Sequence, residues 1–166
     1  MRNMRRGFTM IELIFVIVII GILAAIAIPK LAATRDDAKV STIVANTKTA
    51  MNDLKGYYTS KGNAEWKAGK ITDATDVELY TASGCAANTL ADNTIDVSAD
   101  IFYMCDEVGG TTCVTLETTD DGNLTIKTAG GTEICDAVSE VPAMIGIADE
   151  VTVGKTHQLG GTRVVR

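Results

Sequence analysis

The longest apolar run of the chain lies close to its start, from Phe8 to Ile28, and contains one ionisable residue, Glu12. At about 1.5 Å per residue, a helix of this length is roughly 30 Å long, the thickness of a bilayer's hydrocarbon core. The run is longer than the apolar core of a conventional secretory signal. Basic residues flank it on both sides: Arg2, Arg5, Arg6, Lys30 and Arg35. The pattern predicts a helix that can span a membrane.

Beyond Pro29 the apolar residues return with a helical period. They recur mainly three or four positions apart, at Val40, Ile43, Val44, Met51, Leu54, Tyr57 and Tyr58. Polar residues occupy the other faces, so this half of the helix is predicted to be amphipathic, with one stripe packed on a sheet. The helix is predicted to end near Gly62, because glycine is a favoured helix terminator.

The rest of the chain changes to a strand-like pattern. Strands are predicted at Ile101–Cys105, Thr112–Thr118, Asn123–Thr128 and residues 162–165, separated by glycine-containing turns. Residues 63–100 show weak periodicity and are predicted to be a largely irregular loop packed over the helix. The predicted fold class is α+β, in which the second half of a long N-terminal helix packs on a small antiparallel sheet.

All four cysteines lie in the C-terminal part of the chain, at Cys85, Cys105, Cys113 and Cys135. They contain no Cys-x-x-Cys pair and the one histidine is remote, so a zinc site is not indicated. An even number of cysteines behind an export-type N-terminus favours two disulfides, for which three pairings are possible. We favour Cys85 with Cys105 and Cys113 with Cys135, because the second pair would close a predicted hairpin at its base. Free buried thiols are the alternative.

Composition and charge exclude several kinds of function. The net charge of −6 and the pI near 4.7 argue against a surface that coats nucleic acid, which needs clustered Lys and Arg. No Ser-His-Asp order, phosphate loop or redox motif indicates an enzyme, and no cofactor is expected. Asp120, Asp121 and Asn123 are weak candidates for calcium ligands, but an Asp-Gly hairpin turn is sufficient to explain them and is the interpretation that we favour.

Glu12 is the residue that needs an explanation. A carboxylate in an apolar span costs about 2.5–3.5 kcal/mol near the bilayer centre and less near an interface, so a partner is expected. The apolar run contains no cation that could serve. In the simpler alternative, Glu12 lies close enough to the membrane surface to reach the lipid headgroups and has no further role.

The residues around Glu12 carry a resemblance to a known family. They read Arg6-Gly7-Phe8-Thr9-Met10-Ile11-Glu12-Leu13, in which a short basic leader ends in glycine and Phe-Thr-x-x-Glu-Leu follows. This stretch resembles the processing site of type IV prepilins and type II secretion pseudopilins. The resemblance implies that a membrane-embedded prepilin peptidase cleaves between Gly7 and Phe8 and methylates the new N-terminus at Phe8.

The same resemblance implies roles for other residues. Glu12 of an incoming subunit would pair with the N-terminal amine of its neighbour in a filament. Gly21 and Pro29 lie where family members commonly have helix-loosening residues, so a kink or local melting is expected between them. The chain would then consist of a removed leader (1–7), a transmembrane and filament-core half-helix (8–29), an amphipathic half-helix (30–62) and a β head (63–166).

The function implied is that of a structural subunit of a type IV pilus-like filament, a homo-oligomer. It would be assembled from the inner membrane, with its head in the periplasm, by an assembly platform and a cytoplasmic motor, and would end in an extracellular pilus. One alternative is a type II secretion pseudopilin, which forms a short periplasmic piston. A second, of another class, is a membrane-anchored binding domain that never polymerises.

Overall fold

The structure is a computed structural model that describes residues 8–98, 100–150 and 154–160. These residues form two compact units, one up to Asp37 and one from Ala38 onward. The first unit is the apolar part of helix α1 (Met10–Ala68). Within the described residues, α1 is the one helix long and apolar enough to cross a bilayer, with a mean hydropathy of 3.1 over 18 residues and none of that window buried. The predicted apolar helix is therefore present.

Helix α1 is interrupted at a single residue. Gly62 has φ 78° and ψ 177°, which are non-helical angles that only glycine adopts readily. The regular helix thus breaks where the sequence predicts its end, and one further helical stretch continues to Ala68. Gly21 and Pro29 lie within helical parts of α1, so the loosening expected between them stays a prediction.

A five-stranded sheet forms the centre of the second unit. Strands β1 (Ile101–Cys105), β2 (Thr112–Thr118) and β3 (Asn123–Thr128) form an antiparallel meander with the predicted bounds. The far edge of β3 carries β5 (Lys155–Gln158), antiparallel, and the short parallel strand β4 (Asp149–Glu150). The predicted α+β class is confirmed.

Several elements differ from the sequence-based expectation. Residues 63–100 are not irregular throughout, because they include the end of α1, helix α2 (Ile71–Ala74) and a 3₁₀ turn at Ala87–Thr89. Helices α3 (Glu133–Glu140) and α4 (Pro142–Ile145) were not predicted, and neither were β4 and β5. The strand predicted at residues 162–165 lies outside the described residues.

The core lies between α1 and one face of the sheet. Leu116 on β2 pairs in register with Phe102 on β1 and Ile126 on β3, and all three side chains are fully buried. Helix α1 supplies the facing layer, in which Ile43, Val44 and Leu54 belong to the predicted stripe. Three further buried residues of α1 lie outside that stripe: Thr47, Ala50 and Trp66. Burial of each larger apolar side chain contributes about 1.5–3 kcal/mol, so this contact fixes the second half of the helix on the sheet.

Candidate functional site

The first turn of α1 is closed by a reciprocal pair of side chains, Thr9 and Glu12. The backbone N–H of Glu12 donates to Thr9 Oγ1 at 3.3 Å, and the backbone N–H of Thr9 donates to Glu12 Oε2 at 2.8 Å. The Thr9 hydroxyl donates to the same Oε2 at 2.8 Å. This is a capping box, in which two backbone donors at the helix start are satisfied by side chains three residues apart.

The capping box explains how Glu12 is tolerated at the beginning of an apolar helix. Its carboxylate lies at the N-terminal end of α1, where the helix dipole favours a negative charge. The described hydrogen bonds of this carboxylate all reach Oε2, which leaves Oε1 without a partner among the described residues. Phe8, just before the cap, is 89% exposed. Gly7, the other residue of the expected cleavage site, lies outside the described residues.

Thr9 is therefore a site residue that the sequence analysis missed. Thr9 belongs to the family motif quoted above, whereas the partner expected for Glu12 is a cation. The Thr-x-x-Glu spacing is itself a signal for a capping box and would have identified Thr9.

The four cysteines form two disulfides in the structure. Cys85 is bonded to Cys105, with a Cα–Cα distance of 6.0 Å, and Cys113 to Cys135, with a distance of 4.6 Å. This is the pairing that the sequence favours. The expected reason for the second bond, that it closes a hairpin at its base, is wrong. Cys135 lies on α3, so the bond joins that helix to the start of β2 rather than closing a hairpin.

The turn that contains the calcium candidates is held by side chains from the end of α1. Three consecutive carbonyl oxygens of the turn accept hydrogen bonds, as follows: Thr119 from Trp66 Nε1 (2.8 Å), Asp120 from Asn63 Nδ2 (2.7 Å) and Asp121 from Tyr58 Oη (3.3 Å). Gly122 has φ 72°, and a Cβ at this position would overlap the Tyr58 ring. These contacts explain the conformation of Asp120, Asp121 and Asn123 as a turn packed on α1. In the part of the chain that the structure describes, no cluster of three or more acidic, His or Cys side chains is placed to hold a metal.

Comparison with known proteins places the first helix in a recognised family. The prokaryotic N-terminal methylation motif matches residues 2–28. Type IV major fimbrial protein FimA of Dichelobacter nodosus is 36% identical over 107 residues, which cover 60% of this chain and 68% of the relative. Because α1 has 59 residues, that similarity extends into the head.

Two shorter similarities accompany it. Type IV major pilin protein PilA of Myxococcus xanthus is 45% identical over 56 residues, 34% of this chain and 26% of the relative. Type II secretion system core protein G of Pseudomonas aeruginosa is 39% identical over 56 residues, 34% of this chain and 39% of the relative. No solved structure matches the chain at a significant level. The capped apolar helix, the sheet packed on its second half and the similarity over most of FimA together show that the chain belongs to the type IV pilin family.

Proposed function

We propose that the chain is made as a prepilin, cleaved by prepilin peptidase between Gly7 and Phe8, methylated at Phe8 and assembled as the structural subunit of a type IV pilus. The match of the methylation motif to residues 2–28 supports the processing step. The observation that carries the assembly step is the exposed apolar half of α1, which begins with a capped carboxylate. An exposed apolar surface of this kind is expected to be covered by lipid before assembly and by neighbouring subunits in the filament.

Glu12 is proposed to bind the N-terminal amine of the neighbouring subunit. Thr9 fixes Oε2, while Oε1 has no partner within the described residues. Cleavage before Phe8 creates an ammonium group that requires an acceptor when it leaves water. Two unpaired charges in a dry filament core are expensive, whereas a contact pair recovers much of the desolvation cost. The pair would also fix the register of one subunit against the next.

The proposal places the unassembled subunit in the inner membrane, with α1 spanning the bilayer and the head in the periplasm. The division at residues 1–7, 8–29, 30–62 and 63–166 follows from it: leader, membrane and filament-core helix, amphipathic helix and head. An inner-membrane platform and a cytoplasmic motor would extract the subunit, and a looser helix between Gly21 and Pro29 would ease that extraction. The role is structural and involves no catalysis by the head.

A secretion pseudopilin is the second candidate, and its support is the similarity to core protein G. That similarity spans 56 residues, a length that one helix such as α1 can account for. The similarity to FimA spans 107 residues and includes part of the head. Since the similarity to FimA extends beyond α1 and that to core protein G need not, the pilus subunit is the function that we favour.

The proposal is tested by mass spectrometry of filaments sheared from the native cell. A mature chain that begins at a singly methylated Phe8 and is recovered in the sheared fraction is expected. The same mature chain confined to the periplasmic and membrane fractions would indicate a pseudopilin. An uncut chain that begins at Met1, or one cleaved after the apolar run, would overturn the prepilin proposal and leave an anchored or secreted domain.

A further inference from the structure

We infer that the two disulfides have different roles, and that Cys85–Cys105 is a redox-addressable clip. It orders residues 80–96, here called the Cys85 loop, without being needed for the fold of the head. Its reduction releases the loop and uncovers the free edge of β1, while Cys113–Cys135 and the core stay intact. The inference rests on the burial and the contacts of the two disulfides and does not depend on how the filament assembles.

Burial in the Cys85 loop is concentrated at one residue. Leu79 and Val97, on either side of the loop, are 1% and 0% exposed and belong to the core. Between them, the one fully buried apolar side chain is that of Cys85. Ala91 and Ile95 also pack against the core, but their side chains are only partly buried. The loop therefore gains less from the hydrophobic effect than the core elements do, and segments with few buried apolar contacts open locally at low free energy.

Hydrogen bonds join the loop to the sheet at its start and in its middle. Tyr80 pairs with Tyr103 on β1 through two backbone hydrogen bonds of 3.0 and 2.8 Å, which satisfy the outer edge of that strand. The carbonyl of Cys85 accepts from Gly109 N–H at 2.8 Å. Several others are internal to the loop, including the bond from Thr81 N–H to the Thr89 carbonyl. In the middle of the loop, Gly84 N–H donates to Thr112 Oγ1 on β2 at 3.0 Å, and the Ser83 hydroxyl lies 3.2 Å from the same oxygen. The disulfide is the covalent attachment beside these two hydrogen bonds, which lie near the surface.

The backbone at Cys85 also favours release. Cys85 has φ 46°, the one positive φ at a non-glycine residue in the described chain. A left-handed conformation is unfavourable for a residue with a side chain and persists when its surroundings impose it. At Cys85 the disulfide acts together with two backbone hydrogen bonds, from its N–H to the Ala82 carbonyl at 3.2 Å and from Gly109 N–H to its carbonyl at 2.8 Å. Breaking the disulfide allows Cys85 to relax to a negative φ, which moves the chain away from β1.

The second disulfide is built into the core. Cys113 and Cys135 are both 0% exposed, and the Cys113 carbonyl accepts a hydrogen bond from Ala129 N–H at 2.8 Å. Cys135 lies on α3, whose Val138 is also fully buried. The two disulfides close rings of similar size, with separations of 20 and 22 residues, so chain entropy does not distinguish them. Their accessibility to a reductant distinguishes them, because a reductant can reach Cys113–Cys135 only after the core opens.

The exchange reaction can begin at Cys105, whose side chain is half-buried whereas that of Cys85 is fully buried. A thiolate of an external dithiol attacks Cys105 Sγ, the bond to Cys85 breaks, and Cys85 leaves as a thiolate that takes a proton from water. The second thiol of the reductant then attacks the mixed disulfide and closes as a cyclic disulfide. Cys105 is released as a thiol, so the protein gains two electrons and the dithiol loses two.

The test uses the full chain in detergent micelles, treated with increasing dithiothreitol, alkylated and digested with trypsin. Trypsin cleaves after Lys70, Lys127 and Lys155, which places three cysteines on residues 71–127 and Cys135 on residues 128–155. The expected intermediate is the two peptides still linked, with two alkyl groups on Cys85 and Cys105. It should form on the order of ten times faster than the unlinked peptides. The inference would be overturned if both disulfides were reduced at the same rate, or if Cys113–Cys135 were reduced before Cys85–Cys105.

Two double variants make the test independent of the reductant. In Cys85→Ser with Cys105→Ser, hydrogen exchange of residues 80–96 should rise on the order of tenfold, while Val114 and Leu116 on β2 remain protected. In the matched control, Cys113→Ser with Cys135→Ser, protection should fall across β2, β3 and α3. The inference fails if the first variant loses protection throughout the sheet, or if its Cys85 loop exchanges as slowly as in the unmodified chain.

Discussion

Glu12 contributes both a hydrogen-bond acceptor and a negative charge at the start of α1. The acceptor serves its own chain, because Oε2 receives the backbone N–H and the hydroxyl of Thr9. The charge serves the proposed contact with a neighbouring subunit. A glutamine at this position keeps the acceptor, since a capping box accepts Glu or Gln, and removes the charge. The two contributions can therefore be separated by one substitution.

We expect Glu12→Gln to insert normally in the membrane and to fail in filament assembly, as Glu12→Leu should. Leaving the neighbour's ammonium buried without a counter-charge costs about 3–5 kcal/mol, enough to depopulate the assembled state. The measurement is the amount of subunit in sheared filaments relative to the membrane fraction. Wild-type filament yield from Glu12→Gln would assign Glu12 to helix capping alone. Wild-type yield from both variants would show that assembly needs neither the cap nor the charge of Glu12.

Tyr57 provides a pH-dependent contribution to the stability of the head. Burial raises the pKa of its phenol, and the nearby carboxylates of Asp73 and Glu65 raise the pKa further. The fold therefore favours the neutral phenol, and this contribution is complete below the unfolded pKa of about 10. It is lost as the pH rises from that value through the higher pKa of the folded state.

We expect Tyr57→Phe to reduce the alkaline loss of stability, because phenylalanine keeps the ring and has no group to ionise. The free energy of unfolding would be measured by urea denaturation in steps between neutral and strongly alkaline pH. The variant should lose less stability than the unmodified chain above pH about 10. If the free energy of unfolding fell equally steeply with pH in the two proteins, Tyr57 would not be the cause of the alkaline loss of stability.

At the scale of the element, two of the glycines in α1, Gly56 and Gly62, both lie in open space and differ in backbone conformation. Gly62 has φ 78° and ψ 177°, whereas Gly56 lies in regular helix, and a Cβ at either would meet no atom within 4 Å. Gly62→Ala should destabilise the head by about 1–3 kcal/mol, because a side chain strains that backbone. The control Gly56→Ala should stabilise it by about 0.5–1 kcal/mol. Thermal unfolding compares them, and a neutral or stabilising Gly62→Ala would contradict this account.

The sequence best predicts those elements whose own residues show a periodic pattern. In β1, β2 and β3, buried Phe102, Leu116 and Ile126 alternate with partly exposed neighbours, so the period identified each strand. Strand β5 is polar, reading Lys-Thr-His-Gln, and exists because the edge of β3 accepts its backbone. No hydropathy pattern could reveal a strand defined by its partner.

Helix α3 was missed for a different reason. Thr132 caps it, its side chain accepting from Cys135 N–H at 3.3 Å, and Ile134, Cys135 and Val138 recur at helical spacing. Both signals were present, but Cys135 was interpreted as the base of a hairpin. The capping box of Thr9 and Glu12 was overlooked in the same way, since a motif had already been assigned to those residues. Side chain contacts across the chain, such as Trp66 on the Thr119 carbonyl, required the structure.

At the scale of the molecule, the core belongs entirely to the second unit. Every buried side chain found on α1 lies at Ile43 or beyond, and no described apolar residue before Ala38 is buried. Among the described residues, the first unit therefore contributes no side chain to this core, and its exposed apolar surface suits the lipid and subunit contacts that we propose. This division lies a few residues beyond the boundary at Pro29 that the apolar pattern predicts.

A chain that begins at Ala38 should therefore fold without detergent when it is made in an oxidising compartment, and should unfold in one cooperative transition. A matched fragment of residues 63–166 lacks Ile43, Val44 and Leu54, each worth about 1.5–3 kcal/mol of burial. Their sum is comparable to the whole stability of a small domain, about 5–15 kcal/mol, so this fragment should not fold. Circular dichroism and urea denaturation would compare the two. Aggregation of the 38–166 chain, or a folded 63–166 chain, would show that the stripe on α1 is not what completes the core.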